Sequence, residues 1–308
     1  MKDYPGVLVM LATYNGELYL GQQLESLRAQ RGVSIDILAR DDNSTDGTVA
    51  LLQREGERRL WSVTMLRGTA KQPLGASASF FELIQAADLD HMYYAFCDQD
   101  DVWGPELLAE AVEALSKMPP GVPALHTCRR TLTDSELRPI GETQRATRPG
   151  LGSALVENIV SGAGTVINRE LLLLMRENPP NGVIMYDWWA YLIASALGRV
   201  LLSQRPRLYY RQHGRNALGM KLGVGLWLYR VRTIPRRLTG HVRSRQAAAF
   251  LEVYGARLAD THRILVESVA KQDKTLQERL ALARSPELWR QTTLETLLMR
   301  VMVLMGGL

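Results

Sequence analysis

Three aspartates crowd into four positions at the end of an apolar stretch. The segment YYAFCDQDDVW (93–103) changes abruptly from an apolar run to Asp98, Asp100 and Asp101. Burying like charges this close together is costly unless a cation compensates them. A hard divalent ion such as Mg²⁺ or Mn²⁺ binds oxygen ligands and completes its shell with water and phosphate oxygens. The cluster predicts either a metal and phosphate site or an acidic surface turn.

Two further apolar runs end in polar residues. Tyr14 follows the first run of the chain, and Asp42 follows the second. Ligands of open parallel sheets bind beyond the carboxyl ends of the strands, so we expect Tyr14, Asp42 and Asp100 to line one cleft. The Tyr14 ring offers a flat face to a nucleobase, and the Asp42 carboxylate can accept a hydrogen bond from a pyrimidine ring N–H. The alternative for the segment around Asp42 is a capped turn.

The second half of the chain contains candidate groups for proton transfer and anion binding. Asp187 lies in the apolar segment MYDWWA (185–190), and such a setting raises the pKa of a carboxylate towards that of a useful general base. The alternative for Asp187 is a helix N-cap. His213 stands between Arg211 and Arg215, which favours anion chemistry over a structural histidine.

Two features are candidates for the acceptor side of a site. Trp188 and Trp189 follow Asp187, and tryptophans so placed are either core residues or platforms on which a sugar stacks. Gly162 lies in the small-residue segment SGAGTV (161–166), where the backbone can approach a ligand closely. Tight packing explains this segment almost as well.

The elements that position these residues alternate between strand and helix. Continuous apolar strands separated by amphipathic helices indicate a parallel sheet that is buried on both faces, an open α/β fold. The first half predicts strands at 7–13, 34–40, 61–66 and 92–97 and helices at 18–30, 48–59, 77–87 and 106–117. The second half predicts short strands and turns over 119–151, a strand at 165–168, helices at 169–175 and 185–198, and amphipathic helices over 246–305.

The basic residues concentrate in the last third, which suggests a second region. Residues 221–245 interleave bulky apolar residues with Lys and Arg, a composition suited to an anionic membrane surface. Nucleic-acid binding is the rival for any basic stretch, but no recognisable nucleic-acid motif accompanies it, and a solvated cationic face is the other alternative. The final helix is too short to span a membrane and predicts packing or a homodimer.

Composition bounds the class of protein. The net charge is +5, with 46% hydrophobic and 22% charged residues, which is typical of a globular protein. Two cysteines are too few for a disulfide scaffold, and no signal-peptide pattern or apolar run long enough to span a membrane is present. These features predict a cytoplasmic protein, peripheral to the inner face of the cell membrane.

Five motifs in order resemble those of a known family. The chain resembles a family 2 glycosyltransferase of the GT-A fold, over roughly residues 5–220, and its bacterial rhamnosyltransferase branch in particular. The motifs are LATYNGELYL, ARDDNSTDGT, AFCDQDDVW, YDWW and YYRQHGRN. The resemblance implies a GT-A domain over 1–217, with a nucleotide-sugar half at 1–103 and an acceptor half at 104–217. A basic helical region follows at 218–308.

The resemblance also implies roles for single residues. Arg40 departs from the family pattern, because a small or apolar residue usually precedes the paired acids, so the base pocket is expected to differ there. The implied roles are nucleotide binding by Ala12, Tyr14 and Asp42, metal binding by Asp98, Asp100 and Asp101, general base catalysis by Asp187, and diphosphate or metal contact by Arg211 and His213.

The resulting hypothesis is an inverting glycosyltransferase that depends on Mn²⁺ or Mg²⁺. By resemblance, it transfers L-rhamnose from dTDP-rhamnose to a glycan or lipid-linked acceptor in bacterial surface polysaccharide synthesis, of which O-antigen is one case. Two alternatives remain open. CDQDDV also fits a haloacid-dehalogenase phosphatase with Asp98 as nucleophile and Asp100 as acid/base, and the chain could be a non-catalytic subunit of a polysaccharide assembly complex.

Overall fold

The protein is described by a computed structural model over residues 4–58, 63–67, 72–177, 185–213 and 242–307. It confirms the predicted alternation of elements, with boundaries that differ by one or two residues. The strands are β1 (Gly6–Thr13), β2 (Ser34–Asp41), β3 (Val63–Arg67), β4 (Tyr93–Asp98), β5 (Val102–Trp103), β6 (Ala124–Thr133), β7 (Pro139–Glu142), β8 (Val166–Asn168) and β9 (Arg199–Arg211).

The helices cover both faces of the sheet in the first two thirds of the chain and follow one another at the C-terminus. A short 3₁₀ turn, Gly255–Arg257, links the first two helices of the C-terminal group. The helices are α1 (Glu17–Arg28), α2 (Thr48–Glu57), α3 (Ala76–Ala86), α4 (Leu107–Ser116), α5 (Leu151–Ala154), α6 (Arg169–Arg176), α7 (Tyr186–Leu197), α8 (Val242–Tyr254), α9 (Asp260–Ala270), α10 (Leu276–Arg284) and α11 (Thr293–Leu304).

The strands form one open sheet in the order β3-β2-β1-β4-β8-β6-β9-β5, with β7 paired to β6. The first four strands in this order are parallel, so the carboxyl ends of β1, β2 and β4 lie at one edge. The side chains of β1 alternate between two apolar clusters: Leu8 and Met10 belong to one, and Val7, Val9 and Leu11 to the other. A strand buried on both faces explains why its sequence is apolar without interruption.

The second half of the sheet has mixed strand directions. β8 is antiparallel to both β4 and β6, while β6 and β9 pair in parallel. The sequence did not predict β9, because its polar and apolar residues follow neither a clean alternation nor a continuous apolar run. Arg211 is the last residue of β9, and His213 lies two residues beyond it.

The C-terminal helices pack on the main apolar core. Phe250 and Tyr254 of α8 contact Trp189 of α7, with ring centroids 5.5 and 5.9 Å apart. The predicted division near residue 217 lies within 214–241, outside the described residues. In the part of the chain that the structure describes, no helix combines the length and apolar character needed to cross a bilayer.

Gly152 tests the contact between α5 and the C-terminal region. A Cβ at this position would lie 1.6 Å from the backbone oxygen of Glu287, so backbone must move to admit it. We expect Gly152→Ala to lower the free energy of unfolding by about 2 kcal/mol. The matched control is Gly21→Ala in α1, where nothing lies within 4 Å of the new methyl group. The control should stabilise by about 0.5–1 kcal/mol, because alanine favours a helix over glycine.

Denaturant unfolding of the two variants measures both effects. Equal stability of Gly152→Ala and the wild type would contradict the close packing of the C-terminal region on α5.

Candidate functional site

A cleft of about 740 Å³ opens at the carboxyl ends of β1, β2 and β4. Tyr14, Asp42 and Asp100 all line it, as their positions at strand ends predict. Its opposite wall comes from the second half of the sheet and includes Arg130 and Asp187. The cleft therefore joins the two halves of the chain at the edge where open α/β sheets bind ligands.

The turns after β1 and β2 are locked to each other by hydrogen bonds between backbone and side chains. The Asn15 N–H donates to Ser44 Oγ at 2.9 Å, and Asn15 Oδ1 accepts from the Thr45 N–H at 2.8 Å. The Gly47 N–H donates to the Glu17 carboxylate at 2.9 Å. Asn15 has a φ of 45°, a left-handed conformation that asparagine tolerates better than most residues. These bonds fix the two strand ends relative to each other.

Gln99 ties the end of β4 to the end of β1. The Tyr14 N–H donates to Gln99 Oε1 at 2.8 Å, and Gln99 Nε2 donates to the Tyr14 carbonyl at 2.9 Å. A Cβ at Gly16 would lie 2.2 Å from Gln99 Oε1, so glycine leaves room for this amide. The Tyr14 ring, 47% exposed, stays available to a ligand, and Ala12 lines the cleft beside it.

Asp42 is held in its ionised form. Its Oδ1 accepts from Arg40 Nη1 at 2.9 Å and from the Leu74 N–H at 3.0 Å, and its Oδ2 accepts from the Gly75 N–H at 2.7 Å. Burial alone would raise the pKa of Asp42, but Arg40 and the two backbone N–H groups outweigh it, so the pKa is lowered. The cleft therefore presents a fixed carboxylate at the position predicted to recognise a base.

Arg40, the departure noted in the sequence, explains this arrangement. The side chain is fully buried and donates to Asp42, to Ser79 Oγ at 2.6 Å and to Glu82. Because its charge is compensated by two acids, a buried arginine is tolerated at the end of β2. The expected difference in the base pocket is thus an ion pair between Arg40 and Asp42.

The three aspartates after β4 occupy different environments. Asp98 and Asp100 line the cleft, whereas Asp101 is fully buried and is not among the residues that line it. Burial, followed by the charges of Asp100 and Asp187, raises the pKa of Asp98 to about 7. Burial and the neighbouring carboxylates raise the pKa of Asp101 well above its ordinary value. Asp101 Oδ1 accepts from the Arg211 N–H at 3.2 Å, and Oδ2 has no partner among the described residues.

His213 and Arg211 support the acidic turn from β9. His213 Nε2 lies 2.8 Å from Asp100 Oδ2, and its ring lies 4.8 Å from that of Tyr19. The Arg211 guanidinium is buried and donates to the Asp100 carbonyl at 2.9 Å and to Gln22. Arg211 is not among the residues that line the cleft, so its predicted diphosphate role stays a prediction while its observed contacts hold the turn.

Asp187 lies in the first turn of α7, on the opposite wall. It is 4% exposed and accepts from the Gly162 N–H at 3.0 Å and from the Trp188 N–H at 2.7 Å. Burial raises the pKa of Asp187 to about 6, against the lowering effect of these bonds. The N-cap of α7 is Met185, so Asp187 is not the cap. Its carboxylate is thus positioned, accessible from the cleft and able to take a proton near neutral pH.

The three acceptor-side candidates near Asp187 lie in different places. Gly162 lines the cleft, and a Cβ there would lie 1.7 Å from the Tyr186 hydroxyl, so close packing requires glycine. Trp188 also lines the cleft and donates from Nε1 to the Ala154 carbonyl at 2.6 Å. The prediction that Trp189 lies on the acceptor side of the site is wrong, because this residue is 0% exposed and lies in the core rather than in the cleft. Successive helical residues point in different directions, which explains the divergence.

The sequence prediction missed Arg130 of β6, which lines the cleft between the acids of both walls. Its neighbour Arg129 is also half-buried but forms an ion pair with Glu142 at 2.6 Å. Successive strand residues point to opposite faces, so only the register of β6 distinguishes the two arginines. The sequence carries no signal that would have made this choice.

The donor set fits a hard divalent cation. Asp98 and Asp100 face the cleft, and burial together with the charges of Asp100 and Asp187 raises the pKa of Asp98. Within the described residues, no group of three or more His, Cys, Asp and Glu side chains is arranged to hold a metal. Mg²⁺ is commonly bound by one or two carboxylates together with substrate phosphates. Asp98 and Asp100 therefore suit a cation that binds together with a phosphorylated ligand.

The chain is similar to known proteins in sequence and in fold. The chain is 27% identical to the dTDP-rhamnosyl transferase RfbG of Shigella flexneri over 225 residues, covering 69% of this chain and 74% of the relative. The fold is similar to that of the Pyrobaculum calidifontis mannosyltransferase PcManGT in complex with GDP-Man and Mn²⁺ (TM-score 0.54, 18% identity, 99% of this chain and 86% of that one). It is also similar to Staphylococcus aureus TarS 1–349 in complex with UDP-GlcNAc (TM-score 0.55, 15% identity, 90% and 83%).

These structural neighbours confirm the GT-A fold. The family model of Glycosyl transferase family 2 matches residues 8–172, more than half of the chain. The match begins in β1 and ends in α6, and so includes the strand ends that carry Tyr14, Asp42 and Asp100. The protein belongs to glycosyl transferase family 2.

Proposed function

We propose that the protein is an inverting, metal-dependent glycosyltransferase that uses a nucleoside-diphosphate sugar, with dTDP-L-rhamnose as the donor. The observation that carries the reaction type is Asp187: a positioned carboxylate with a pKa raised to about 6 faces the same cleft as Asp42, Asp98 and Asp100. One wall offers groups for a nucleotide and its phosphates, and the other offers a proton acceptor. The acceptor hydroxyl binds between them.

The proposed reaction is a single displacement at the anomeric carbon. The acceptor oxygen forms a bond to C1 of the sugar as the bond from C1 to the β-phosphate oxygen breaks. The hydroxyl proton passes to Asp187, and the nucleoside diphosphate leaves from the opposite face, which inverts the configuration. Asp98 and Asp100 are the residues that would hold Mn²⁺ or Mg²⁺, and the bound ion supplies Lewis-acid neutralisation of the leaving diphosphate.

The choice of dTDP-rhamnose is supported by the relative from Shigella flexneri, whose name states that activity. The fixed carboxylate of Asp42 agrees with it, because thymine presents a single ring N–H donor on the edge that a carboxylate can reach. The metal is supported by the Mn²⁺ in the mannosyltransferase complex and by the two cleft aspartates. The acceptor proposed is a glycan or lipid-linked saccharide of surface polysaccharide synthesis, such as O-antigen.

Peripheral association with the inner membrane surface, from the cytoplasmic side, belongs to the same proposal. It rests on the basic, apolar composition of residues 221–245, most of which lie outside the described residues. The predicted homodimer is retained with it, since α11 exposes Leu294, Leu297 and Leu298.

The two earlier alternatives fare differently. A haloacid-dehalogenase phosphatase is not supported, since the chain belongs to a glycosyltransferase family. A non-catalytic subunit would bind the nucleotide sugar without turnover, and the accessible Asp187 favours an active enzyme over it.

Nucleotide binding is the first test. Thermal unfolding with dTDP, UDP or GDP, each with and without Mn²⁺, should show a metal-dependent increase in Tm with dTDP. A ligand at 100 times its Kd adds about 2.7 kcal/mol of stability. Asp100→Ala should abolish the increase, whereas the exposed Asp90→Ala should keep it. The absence of a shift with every nucleotide would contradict the proposed site.

Asp187 gives a test of the base. Since its pKa is raised to about 6, the carboxylate is protonated below that pH and cannot accept the hydroxyl proton. We expect kcat/KM to rise as the pH increases through about 6 and then to level off. Asp187→Asn should reduce kcat by about 10²–10⁴-fold, remove this pH dependence and leave dTDP affinity unchanged. A variant that keeps wild-type turnover would assign the base elsewhere.

Arg40 gives a test of the base pocket. Arg40→Met removes the cation beside Asp42, so the pKa of Asp42 should rise and dTDP should bind about tenfold more weakly. Breaking the buried pair should also lower the free energy of unfolding by about 3 kcal/mol. Arg54→Met on the exposed face of α2 is the control. Isothermal titration calorimetry measures the dTDP affinity, and an unchanged affinity of Arg40→Met would show that Arg40 does not contribute to nucleotide binding.

A further inference from the structure

Among the residues that the structure describes, the Arg130 side chain is a cation without a hydrogen-bonding partner. Within the described residues, its guanidinium forms no hydrogen bond and no ion pair, and its buried Nε has no acceptor. The guanidinium carbon lies 5.8 Å from the centroid of the Tyr210 ring. A guanidinium carries five N–H donors, and leaving them unsatisfied in a partly buried position is costly.

The other arginines near the cleft show how unusual this is. Arg40 is compensated by Asp42 and Glu82, and Arg211 donates to the backbone of the acidic turn. Arg129, the adjacent residue, pairs with Glu142. Each of these three arginines therefore has at least one acceptor, although Nη2 of Arg40 is itself unpartnered, whereas the guanidinium of Arg130 has none among the described residues.

The position of Arg130 is consistent with a ligand that supplies the missing acceptors. The residue lines the cleft together with Tyr210, Asn158 and Asp187 of the acceptor-side wall and with Asp98 of the opposite wall. Burial lowers the pKa of Arg130, while Asp101 and Asp187 attract its charge without contacting it. A carboxylate or phosphate matches the planar fork of a guanidinium with two parallel hydrogen bonds and also compensates its charge.

We infer that Arg130 is a substrate-binding residue whose guanidinium holds an oxyanion, a phosphate or carboxylate, between the two walls of the cleft. The inference rests on the proposed function, which brings such groups to the cleft. The oxyanion has two sources: the β-phosphate of the donor nucleotide, or an anionic group on the acceptor. Either source satisfies the free N–H donors and brings charge compensation to Arg130 only when substrate is bound.

The test compares Arg130→Gln and Arg130→Lys with the wild type and with Arg129→Gln as the matched control. Calorimetry measures the affinity for nucleoside, monophosphate and diphosphate of the best-bound base, with Mn²⁺. If the donor supplies the oxyanion, Arg130→Gln loses about tenfold or more of the preference for diphosphate over monophosphate, and nucleoside affinity is unchanged. Arg130→Lys, which keeps the charge but not the fork, loses less, and Arg129→Gln resembles the wild type.

The second arm addresses the acceptor. Inorganic phosphate is titrated into each protein, both free and saturated with the diphosphate. Phosphate binding that persists in the saturated wild type and is lost in Arg130→Gln assigns the oxyanion to the acceptor. Wild-type behaviour of Arg130→Gln in both arms overturns the inference. Failure of the wild type to bind any nucleotide would instead reject the proposed function, and phosphate binding to the free protein would still test Arg130.

Discussion

The repulsion between carboxylates at the end of β4 is the constraint around which the site is built. Asp98, Asp100 and Asp101 follow one another too closely for all three to be ionised without cost, and the structure treats each differently. Asp101 is buried against the backbone of Arg211, Asp100 faces His213, and Asp98 keeps a raised pKa at the cleft. Charge that the protein leaves uncompensated at this point favours a cationic ligand.

The remaining architecture fixes that acidic turn against its surroundings. β9 pairs with β6, and Arg211 at its end donates to the Asp100 carbonyl and so holds the acidic turn. Gln99 joins the turn to the backbone of Tyr14, and the loops after β1 and β2 are hydrogen-bonded to each other. Rigid support from several elements is what a site needs when its chemistry depends on the spacing of charges. The two walls meet as a result of the strand order, in which β8 inserts between β4 and β6.

Much of this could be predicted from the sequence, and the exceptions have physical causes. Short, mainly apolar runs identified β1, β2 and β4, and parallel pairing then placed Tyr14, Asp42 and Asp100 together without any knowledge of contacts. β9 was not predicted, because its burial pattern follows no simple period. Trp189 and Arg130 depend on which way a side chain points, and adjacent residues of the same type, Trp188 and Arg129, point elsewhere. The packing of the helix or strand in the whole fold decides which residue of each pair faces the cleft, and a single sequence does not show that packing.

The amide of Gln99 has a consequence for how this chain can vary. The space that it occupies is the space that a side chain at position 16 would need, so the identities of residues 16 and 99 are coupled. A side chain at 16 displaces the Gln99 amide and so breaks both of its hydrogen bonds to Tyr14, which removes the reason for a glutamine at 99. Divergent sequences that keep this fold should therefore change the two positions together, a covariation created by one amide group between neighbouring strands.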